Sequence, residues 1–430
     1  MKRMLLLLSG CLLVIAGSAE AQRFQGRFVT SGYVWQRSDT VDVTSTHVFG
    51  FQLMQLSLAT ENVTVQTYLQ VFNDFAGPLK NRAQGRVYNL FAQWRNIGGL
   101  ADVSVGRQYI FAGVGNGGID GGSFTLRFLN SRVRVLGYGG ALVPAGQKSK
   151  FFQDMSDNFM VGGRVRFEPV DFATISLSFV QKDIKPKAYS AIRGDSITPV
   201  YSVEIKPTAS AEQYLGADFD VSYDRLETVN GRLEYDMYLE KLSRIQLFTR
   251  VRVLDRLAVT GEFLQRDPRL RYNSIFSVFS YNTLHDYEGG IEYEFLPGWN
   301  AVAQLGSVSY GDESNTQLTL GVNGKYVGGS LSHTTGYNGK ISSASLNAGY
   351  PLMNRMLTPT LLLSYAQYKL SDAVTDLDAA FAMGIGLVYR PMPVLSVDGQ
   401  LQWITNKIYQ NDVRLMLRAS YLMSETLNLF

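Results

Sequence analysis

Apolar and polar residues alternate along most of this chain, which is the pattern of a β-strand with one apolar and one polar face. The stretches 215–223, 245–253 and 287–295 are clear examples, with mostly apolar residues at every second position. After the first 15 residues, no second long apolar run occurs. The sequence therefore predicts an all-β protein.

Short turn motifs separate these stretches, among them Asn230-Gly231, Asn323-Gly324 and Pro297-Gly298. Asn-Gly supplies the positive φ angles of a two-residue hairpin turn, so successive strands are expected to pair antiparallel. About 22 strand candidates can be counted, but a membrane-spanning strand needs about 9–11 residues. Neighbouring candidates such as 123–130 and 132–138 are short enough to merge. We therefore expect an even number of strands between about 16 and 22, with 18 favoured.

The first residues resemble a secretory signal: two basic residues, an apolar stretch over residues 4–15, and Ala19-Glu20-Ala21 as a small-residue cleavage site. We expect residues 1–21 to be a signal peptide and residues 22–430 to form a single barrel domain. Cys11 is the only cysteine, so the processed chain has no disulfide and no thiolate metal site. A lipoprotein signal at Leu8-Ser9-Gly10-Cys11 fits less well, because the apolar stretch continues past Cys11.

Export, strand alternation and the aromatic last residue, Phe430, together indicate a transmembrane antiparallel β-barrel of a bacterial outer membrane. The 24 tyrosines and 24 phenylalanines suit the membrane–water interface. A secreted soluble β-protein would show the same signal and the same strands. Alternation does not say which face is outward, and we expect the apolar face to contact lipid.

In that orientation, the charged residues of the polar face line the lumen. The expected basic lining residues are Arg107, Arg132, Arg134, Arg164, Arg166, Arg244, Arg250 and Arg252. The expected acidic lining residues are Asp218, Asp220, Glu234, Asp236, Glu240, Glu288, Glu292 and Glu294. Opposed basic and acidic walls would create a field across the channel that favours small polar solutes. Alternatively, these charges pair between neighbouring strands and select nothing.

Arg107 is an exception to the alternation, because it falls on the apolar face with Val105 and Tyr109. An arginine that faces mid-bilayer lipid costs about 2–4 kcal/mol. We therefore expect a bulge at Gly106 that turns Arg107 inward. An alternative is a position of Arg107 near the membrane interface.

The segment around Arg107 also resembles a known family. Val105-Gly106-Arg107-Gln108 is followed by a glycine-rich stretch, by Ile119-Asp120-Gly121-Gly122 and by two short strands that end in Gly139-Gly140. This order is similar to the alginate-export-type outer-membrane porin family, although Ile119 stands where the family motif is aromatic. The resemblance covers residues 101–140. It implies a monomer of about eighteen strands with an arginine-lined lumen, in which Arg107, Arg132 and Arg134 line the pore and anionic polysaccharide or small solutes pass.

Catalytic and metal-binding patterns are weak. The three histidines, His47, His285 and His333, are scattered, which argues against zinc. His285 and Asp286 are adjacent, so their side chains point to opposite faces of a strand. We expect no enzyme activity, no cofactor and no metal.

The sequence is best interpreted as a porin for passive diffusion of small polar or charged solutes. Alternatives are an exporter of anionic polysaccharide and a non-conducting surface anchor or binding barrel. Expected partners are outer-membrane lipid, lipopolysaccharide and small polar or anionic solutes. Nucleic acid is not expected, because 40 Lys+Arg nearly balance 37 Asp+Glu; monomer and trimer both stay open. Residues 184–212 are expected to fold in or extend outward, and residues 113–118 to form a flexible surface or constricting loop.

Overall fold

A computed structural model describes residues 22–427 of the chain, apart from 40–43, 77–82, 145, 148, 153–154, 187, 194–200, 207, 275, 277–278, 338 and 370–375. The expected signal peptide and Phe430 lie outside the described residues. The strands of the described residues are β1 Gln22–Asp39, β2 Thr44–Ala59, β3 Val63–Asp74, β4 Gln84–Ile97, β5 Ala101–Ala112, β6 Gly115–Phe128, β7 Val133–Leu142, β8 Asn158–Val170, β9 Ala173–Ile184, β10 Tyr189–Arg193, β11 Tyr201–Ile205, β12 Ser210–Tyr223, β13 Leu226–Asp236, β14 Lys241–Leu254, β15 Leu257–Arg266, β16 Leu284–Leu296, β17 Trp299–Tyr310, β18 Glu313–Asn323, β19 Val327–Gly336, β20 Gly339–Gly349, β21 Leu357–Lys369, β22 Asp378–Met392, β23 Leu395–Thr405 and β24 Tyr409–Leu427.

Across the part of the chain that the structure describes, 22 of these strands form one closed antiparallel barrel. Each strand pairs with the next in sequence, β9 pairs with β12, and β24 pairs back onto β1. Strands β10 and β11 form a separate hairpin. The prediction of an all-β antiparallel barrel is confirmed, whereas the favoured count of 18 strands is wrong.

The strand count is higher because short neighbouring strands do not merge. Between β6 and β7 the chain reverses at Leu129, Asn130 and Ser131, whose φ angles are 51°, 54° and 68°. The Arg132 amide donates to the Leu129 carbonyl at 3.1 Å and closes this turn. No glycine or proline marks the reversal in the sequence, which is why the alternation alone left it ambiguous.

One predicted turn is also misplaced. Asn230 and Gly231 lie in the middle of β13, and the chain instead reverses between Tyr223 and Leu226. The ring of Phe219 lies directly over Gly231, where an added Cβ would come within 2.2 Å of it. The glycine therefore makes room for a neighbouring aromatic ring and does not form a hairpin turn.

The two faces of the barrel differ sharply in polarity. On the outer face, Leu215, Phe219, Leu233, Leu247 and Ile291 are between 40% and 51% exposed. The residues that alternate with them point inward and contact charged partners on neighbouring strands. Apolar side chains therefore cover the outside, and polar ones surround the enclosed space.

The two ends of the barrel differ in the length of their connections. The strands β3, β7, β9 and β15 all end at the same end of the barrel, which we name the loop end, and the long segments 75–83, 143–157, 185–209 and 267–283 follow them in the sequence. Both Gln22 and Leu427 lie at the opposite end, where most connections are two to four residues long. In the described residues, no helix has both the length and the apolar character needed to cross a membrane.

Candidate functional site

The most distinctive feature of the lumen is a hairpin that leaves the barrel wall. Strand β5 pairs with β4 only as far as Arg107, and β6 pairs with β7 only from Ile119 onward. Between these points β5 and β6 continue to pair with each other up to Ala112 and Gly115. Residues 107–119 therefore form a detached hairpin, which we name the inner hairpin.

The tip of the inner hairpin contacts the inward face of distant strands. The Val114 amide donates to Ser178 Oγ of β9 at 3.1 Å. At Gly216 of β12, an added Cβ would lie only 2.4 Å from the Val114 side chain. Because Ser178 and Gly216 alternate with the exposed Leu177 and Leu215, the hairpin lies inside the barrel.

An apolar cluster holds the inner hairpin against the wall. Its buried members are Ile110, Ala112, Val114, Ile119, Tyr138, Met160, Val180 and Tyr214. The first four belong to the hairpin, and the others project inward from β7, β8, β9 and β12. Burial of each large aliphatic side chain stabilises the seated hairpin by about 1.5–3 kcal/mol.

The hairpin bends away from the wall at Gly106. Its φ angle is 129°, and an added Cβ would lie 2.3 Å from the Leu90 carbonyl oxygen. Both facts require glycine. The pairing of β5 with β4 and with β6 shows no register shift at Gly106, so the expected bulge is not what redirects the chain.

Arg107 lies at this bend and is fully buried, as is Asp120. Arg107 Nε and Nη2 donate to the two carboxylate oxygens of Asp120 at 2.6 and 2.8 Å. Arg107 also donates to the carbonyls of Val87 at 3.2 Å and Lys150 at 2.6 Å, and the Phe152 amide donates to Asp120 at 3.0 Å. The arginine expected to line the pore therefore joins three chain segments instead of facing lipid or open lumen.

The connection between β7 and β8 occupies the place that the hairpin leaves in the wall. The Val87 amide of β4 donates to the Gln147 carbonyl at 2.8 Å. The Val143 amide donates to the Gly118 carbonyl at 3.0 Å. This connection therefore provides hydrogen-bond partners for backbone groups of β4 and β6 at the point where these strands stop pairing with their neighbours in the wall.

The connection between β15 and β16 reaches the hairpin tip from the other side. Arg269 donates to the Val114 carbonyl at 3.1 Å, contacts Glu212 at 3.6 Å and lies 4.1 Å from the centre of the Tyr214 ring. Asn273 Nδ2 donates to the carbonyls of Ile184 and Thr208, both at 2.8 Å. The inner hairpin is thus enclosed between the wall and this connection.

The segment 184–212 was expected to fold into the lumen or to extend outward. Its strands β10 and β11 form a separate two-stranded hairpin, in which Ile192 is 78% exposed. The glycine-rich residues 113–118 form the turn and the first residues of β6, so the structure puts them in the lumen.

The predicted lining charges are interleaved along one wall. Asp218 lies between Arg164 at 3.8 Å and Arg232 at 2.5 Å. Glu234 lies 3.8 Å from Arg244, and Glu292 lies 2.7 Å from Arg250. Basic and acidic residues therefore neutralise each other between strands that are adjacent or one strand apart, rather than forming two opposed walls.

Other predicted charges lie near the strand ends. Arg132 is in the β6–β7 turn beside Asp171, and Arg134 and Arg166 both contact Glu168. Asp236 accepts from the amides of Tyr238 and Leu239 in the β13–β14 turn, where Glu240 adopts a φ of 51°. Glu294 accepts from the Gly298 amide. Asp220 pairs in register with Asn230 of β13, and Glu288 with Glu262 of β15.

Several charged residues of the lumen were not in the predicted set. Glu227 contacts both Arg250 and Arg252, and Arg266 projects inward from β15. The alternation of β13 and β15 could have identified them. Arg269 could not have been found in this way, because it lies in an irregular connection.

A cavity of about 530 Å³ separates the hairpin tip from this wall. It is lined by Gly113, Asn116, Arg232, Glu234, Ser243, Arg244, Arg266, Asp267, Pro268, Arg269, Leu284 and Tyr310. A volume in this range accommodates a small solute. The narrowed lumen and this cavity form the candidate site.

No protein-family model and no curated protein matches the chain. Among solved structures, it is similar to the translocation pore of the P pilus usher PapC, with 7% identity, a TM-score of 0.49, and coverage of 94% of this chain and 100% of that chain. It is also similar to Acinetobacter baumannii OccAB4, with 8% identity, a TM-score of 0.46, and coverage of 94% and 98%. A third similar structure is Pseudomonas aeruginosa OccK2 in complex with glucuronate, with 10% identity, a TM-score of 0.42, and coverage of 93% and 98%. The barrel assignment rests on the strand pairing of the chain itself.

Proposed function

We propose that this protein is an outer-membrane channel through which small polar or charged solutes diffuse passively. The observation that supports this function is the closed sheet with an apolar outer face and a charged inner face. An outer surface covered by exposed leucine, isoleucine, valine and aromatic side chains fits acyl chains, and it would be an association hazard in water. Contacts with lipid and lipopolysaccharide follow from the same surface.

The inner hairpin supplies the constriction in this proposal. A barrel of 22 strands encloses a wide bore, and the hairpin with the connection carrying Arg269 occupies part of it. Solutes then pass beside the hairpin along the charged wall. The local field of the unpaired charges, rather than the nearly neutral total, sets which solutes pass.

Planar-bilayer recording of the refolded protein tests this function. We expect stepwise single-channel conductance, together with a gel mobility that differs between boiled and unboiled samples. A protein that stays soluble without detergent and shows no conductance contradicts the proposal. A protein that inserts and shows no conductance would instead be the non-conducting anchor.

Ion selectivity provides a second test with a matched control. Arg266→Glu changes a lumen charge that has no ion-pair partner among the described residues, so we expect the reversal potential to shift toward cations. Arg132→Glu changes an arginine in the β6–β7 turn beside Asp171 and is expected to leave the reversal potential nearly unchanged. Equal shifts in the two variants would contradict a selectivity set at the cavity.

Polysaccharide export, which the family resemblance implied, has weaker support. The lumen arginines are largely neutralised by carboxylates, which leaves little uncompensated positive charge for an anionic polymer.

A further inference from the structure

The wall beside the cavity keeps a small group of charges that pairing does not neutralise. Asp218, Glu234 and Glu227 have arginine partners on a neighbouring strand, and Glu292 is paired with Arg250 two strands away. Asp267 is paired with Lys241 at 2.7 Å. Two groups of like charge lie side by side on β14–β16: a basic group, in which Arg244 shares Glu234 with Arg232, and an acidic group.

The basic group is Arg244 and Arg266. They face each other directly across β14 and β15, an arrangement of like charges that is unfavourable unless an anion lies between them. Arg266 makes no ion pair with any carboxylate of the described residues. Arg244 lies 3.8 Å from Glu234 and donates from Nη2 to Gln246 Oε1 at 2.5 Å, whereas its Nε is buried without a hydrogen-bond acceptor.

The acidic group is Glu262, Asp286 and Glu288. Glu262 and Glu288 face each other directly across β15 and β16, and Asp286 is two residues from Glu288 on the same face. Glu262 accepts a hydrogen bond from Gln246 at 2.8 Å. None of the three makes an ion pair with a lysine or arginine of the described residues.

The register fixes the relation between the two groups. Arg266 pairs with Leu284, and Asp286 is the next inward residue along β16. Arg266 and Asp286 are therefore diagonal neighbours, whose Cα atoms are about 7–8 Å apart in an antiparallel sheet. Arg244 and Arg266 line the 530 Å³ cavity together with Leu284, which is the inward residue of β16 just before Asp286.

We propose that this place binds a zwitterion, a short peptide or free amino acid, on its way through the lumen. The carboxylate of the solute lies between Arg244 and Arg266, and its ammonium group lies against Asp286, Glu262 and Glu288. This assignment rests on the proposed function, since it names the solute class of the same lumen.

A solute with one charge fits the site less well. A simple anion between the arginines would lie beside three carboxylates, and a simple cation at the carboxylates would lie beside two arginines. Only a solute that carries a carboxylate and an ammonium group a few ångströms apart reduces the repulsion within the basic group and within the acidic group at the same time. Asn116, Ser243 and Tyr310 add neutral hydrogen-bonding groups to the same cavity.

Three probes of matched size test the proposal: glycylglycine, N-acetylglycylglycine without the ammonium group, and glycylglycinamide without the carboxylate. The measurement is the concentration of each probe that half-blocks single-channel current. For the wild-type channel, we expect glycylglycine to act at a concentration about tenfold lower than either derivative, the scale of one charge-assisted hydrogen bond. In Arg266→Gln, glycylglycine should no longer block at a lower concentration than glycylglycinamide, which lacks the carboxylate. In Asp286→Asn, it should no longer block at a lower concentration than N-acetylglycylglycine, which lacks the ammonium group.

Arg418→Gln is the matched control, because Arg418 is paired with Asp398 at 2.9 Å on the β23–β24 wall. It should leave the order of the three probes unchanged. Equal blocking by glycylglycine and its N-acetyl derivative, or an unchanged preference in Arg266→Gln and Asp286→Asn, would overturn the zwitterion site while the channel function stands. If no current is seen, calorimetric titration of glycylglycine into the detergent-solubilised protein decides the site separately from the proposed function.

Discussion

The buried ion pair at the bend gives the sharpest prediction, for the substitution Asp120→Asn. The change keeps the size of the side chain and removes its charge. Arg107, which is fully buried in the seated hairpin, then loses the carboxylate charge that its Nε and Nη2 bind. When the inner hairpin separates from the apolar cluster, Arg107 becomes solvated. The free-energy cost of burying the arginine charge therefore destabilises only the seated state.

The magnitude follows from the contacts that Arg107 keeps. Removal of one partner of a buried ion pair costs about 3–5 kcal/mol, which corresponds to a change of about 150- to 4,000-fold in an equilibrium constant. Arg107 retains the carbonyls of Val87 and Lys150 and the ring of Phe151, which lies 4.2 Å away. We therefore expect the lower end of that range, an increase of about 150-fold in the unseated population.

Thiol labelling measures that population directly. Ala112→Cys puts a small reporter in the apolar cluster, where Ala112 is 1% exposed. Cys11, the only native cysteine, is replaced by serine in this background. The labelling rate of the native protein with a small maleimide then follows the unseated fraction when opening and closing are fast.

Two further variants make the result specific. Asp398→Asn removes a lumen carboxylate whose partner Arg418 is largely solvated, and it should leave the labelling rate unchanged. The apolar pair Arg107→Met with Asp120→Leu should restore slow labelling, because a packed apolar pair can replace a buried ion pair. A labelling rate in Asp120→Asn within threefold of its parent would refute the idea that this pair holds the hairpin.

Two other substitutions test the bend and the membrane face. Gly106→Ala should lower the free energy of unfolding in urea by about 1–3 kcal/mol or more, because alanine must adopt a φ of 129° and its Cβ would lie against the Leu90 carbonyl. Gly85→Ala is the control: its Cβ would meet nothing within 4 Å, so stability should change little. Leu305→Arg, on the outer face, should make the free energy of folding into lipid vesicles less favourable by about 2–4 kcal/mol. Gln304→Arg, at the adjacent inward position, should change this free energy little. Equal changes in the two variants would contradict the assigned orientation of β17.

The sequence predicted the barrel because alternation survives along whole strands. The outward residues of β12 to β16 are the ones that the pattern placed on the apolar face. The strand count was wrong because turns such as Leu129–Ser131 reverse through positive φ angles without glycine or proline. At Asn230-Gly231 the error was the reverse: a turn motif is present, but no turn forms, because Gly231 lies within β13 and provides space for the Phe219 ring.

The inner hairpin could be predicted only in part. The desolvation cost of Arg107 on an apolar face indicated that its side chain does not face lipid, but the expected device was a bulge at Gly106, and the departure of the strand from the wall was not predicted. The partner Asp120 and the covering residues of the β7–β8 connection depend on tertiary contacts that no local pattern encodes. The same holds for Arg269, which reaches the tip from an irregular segment.

The seam between β1 and β24 has a consequence for how the chain reaches this form. Strand β1 is 18 residues long and β24 is 19, and they are paired along almost their whole length. Residues far apart in the sequence must meet before the ring exists, and closing contacts of such long sequence separation is slow. Until that moment two long unpaired borders are available to other copies. Refolding should therefore succeed at high dilution with lipid or detergent already present, and fail through aggregation in concentrated aqueous buffer.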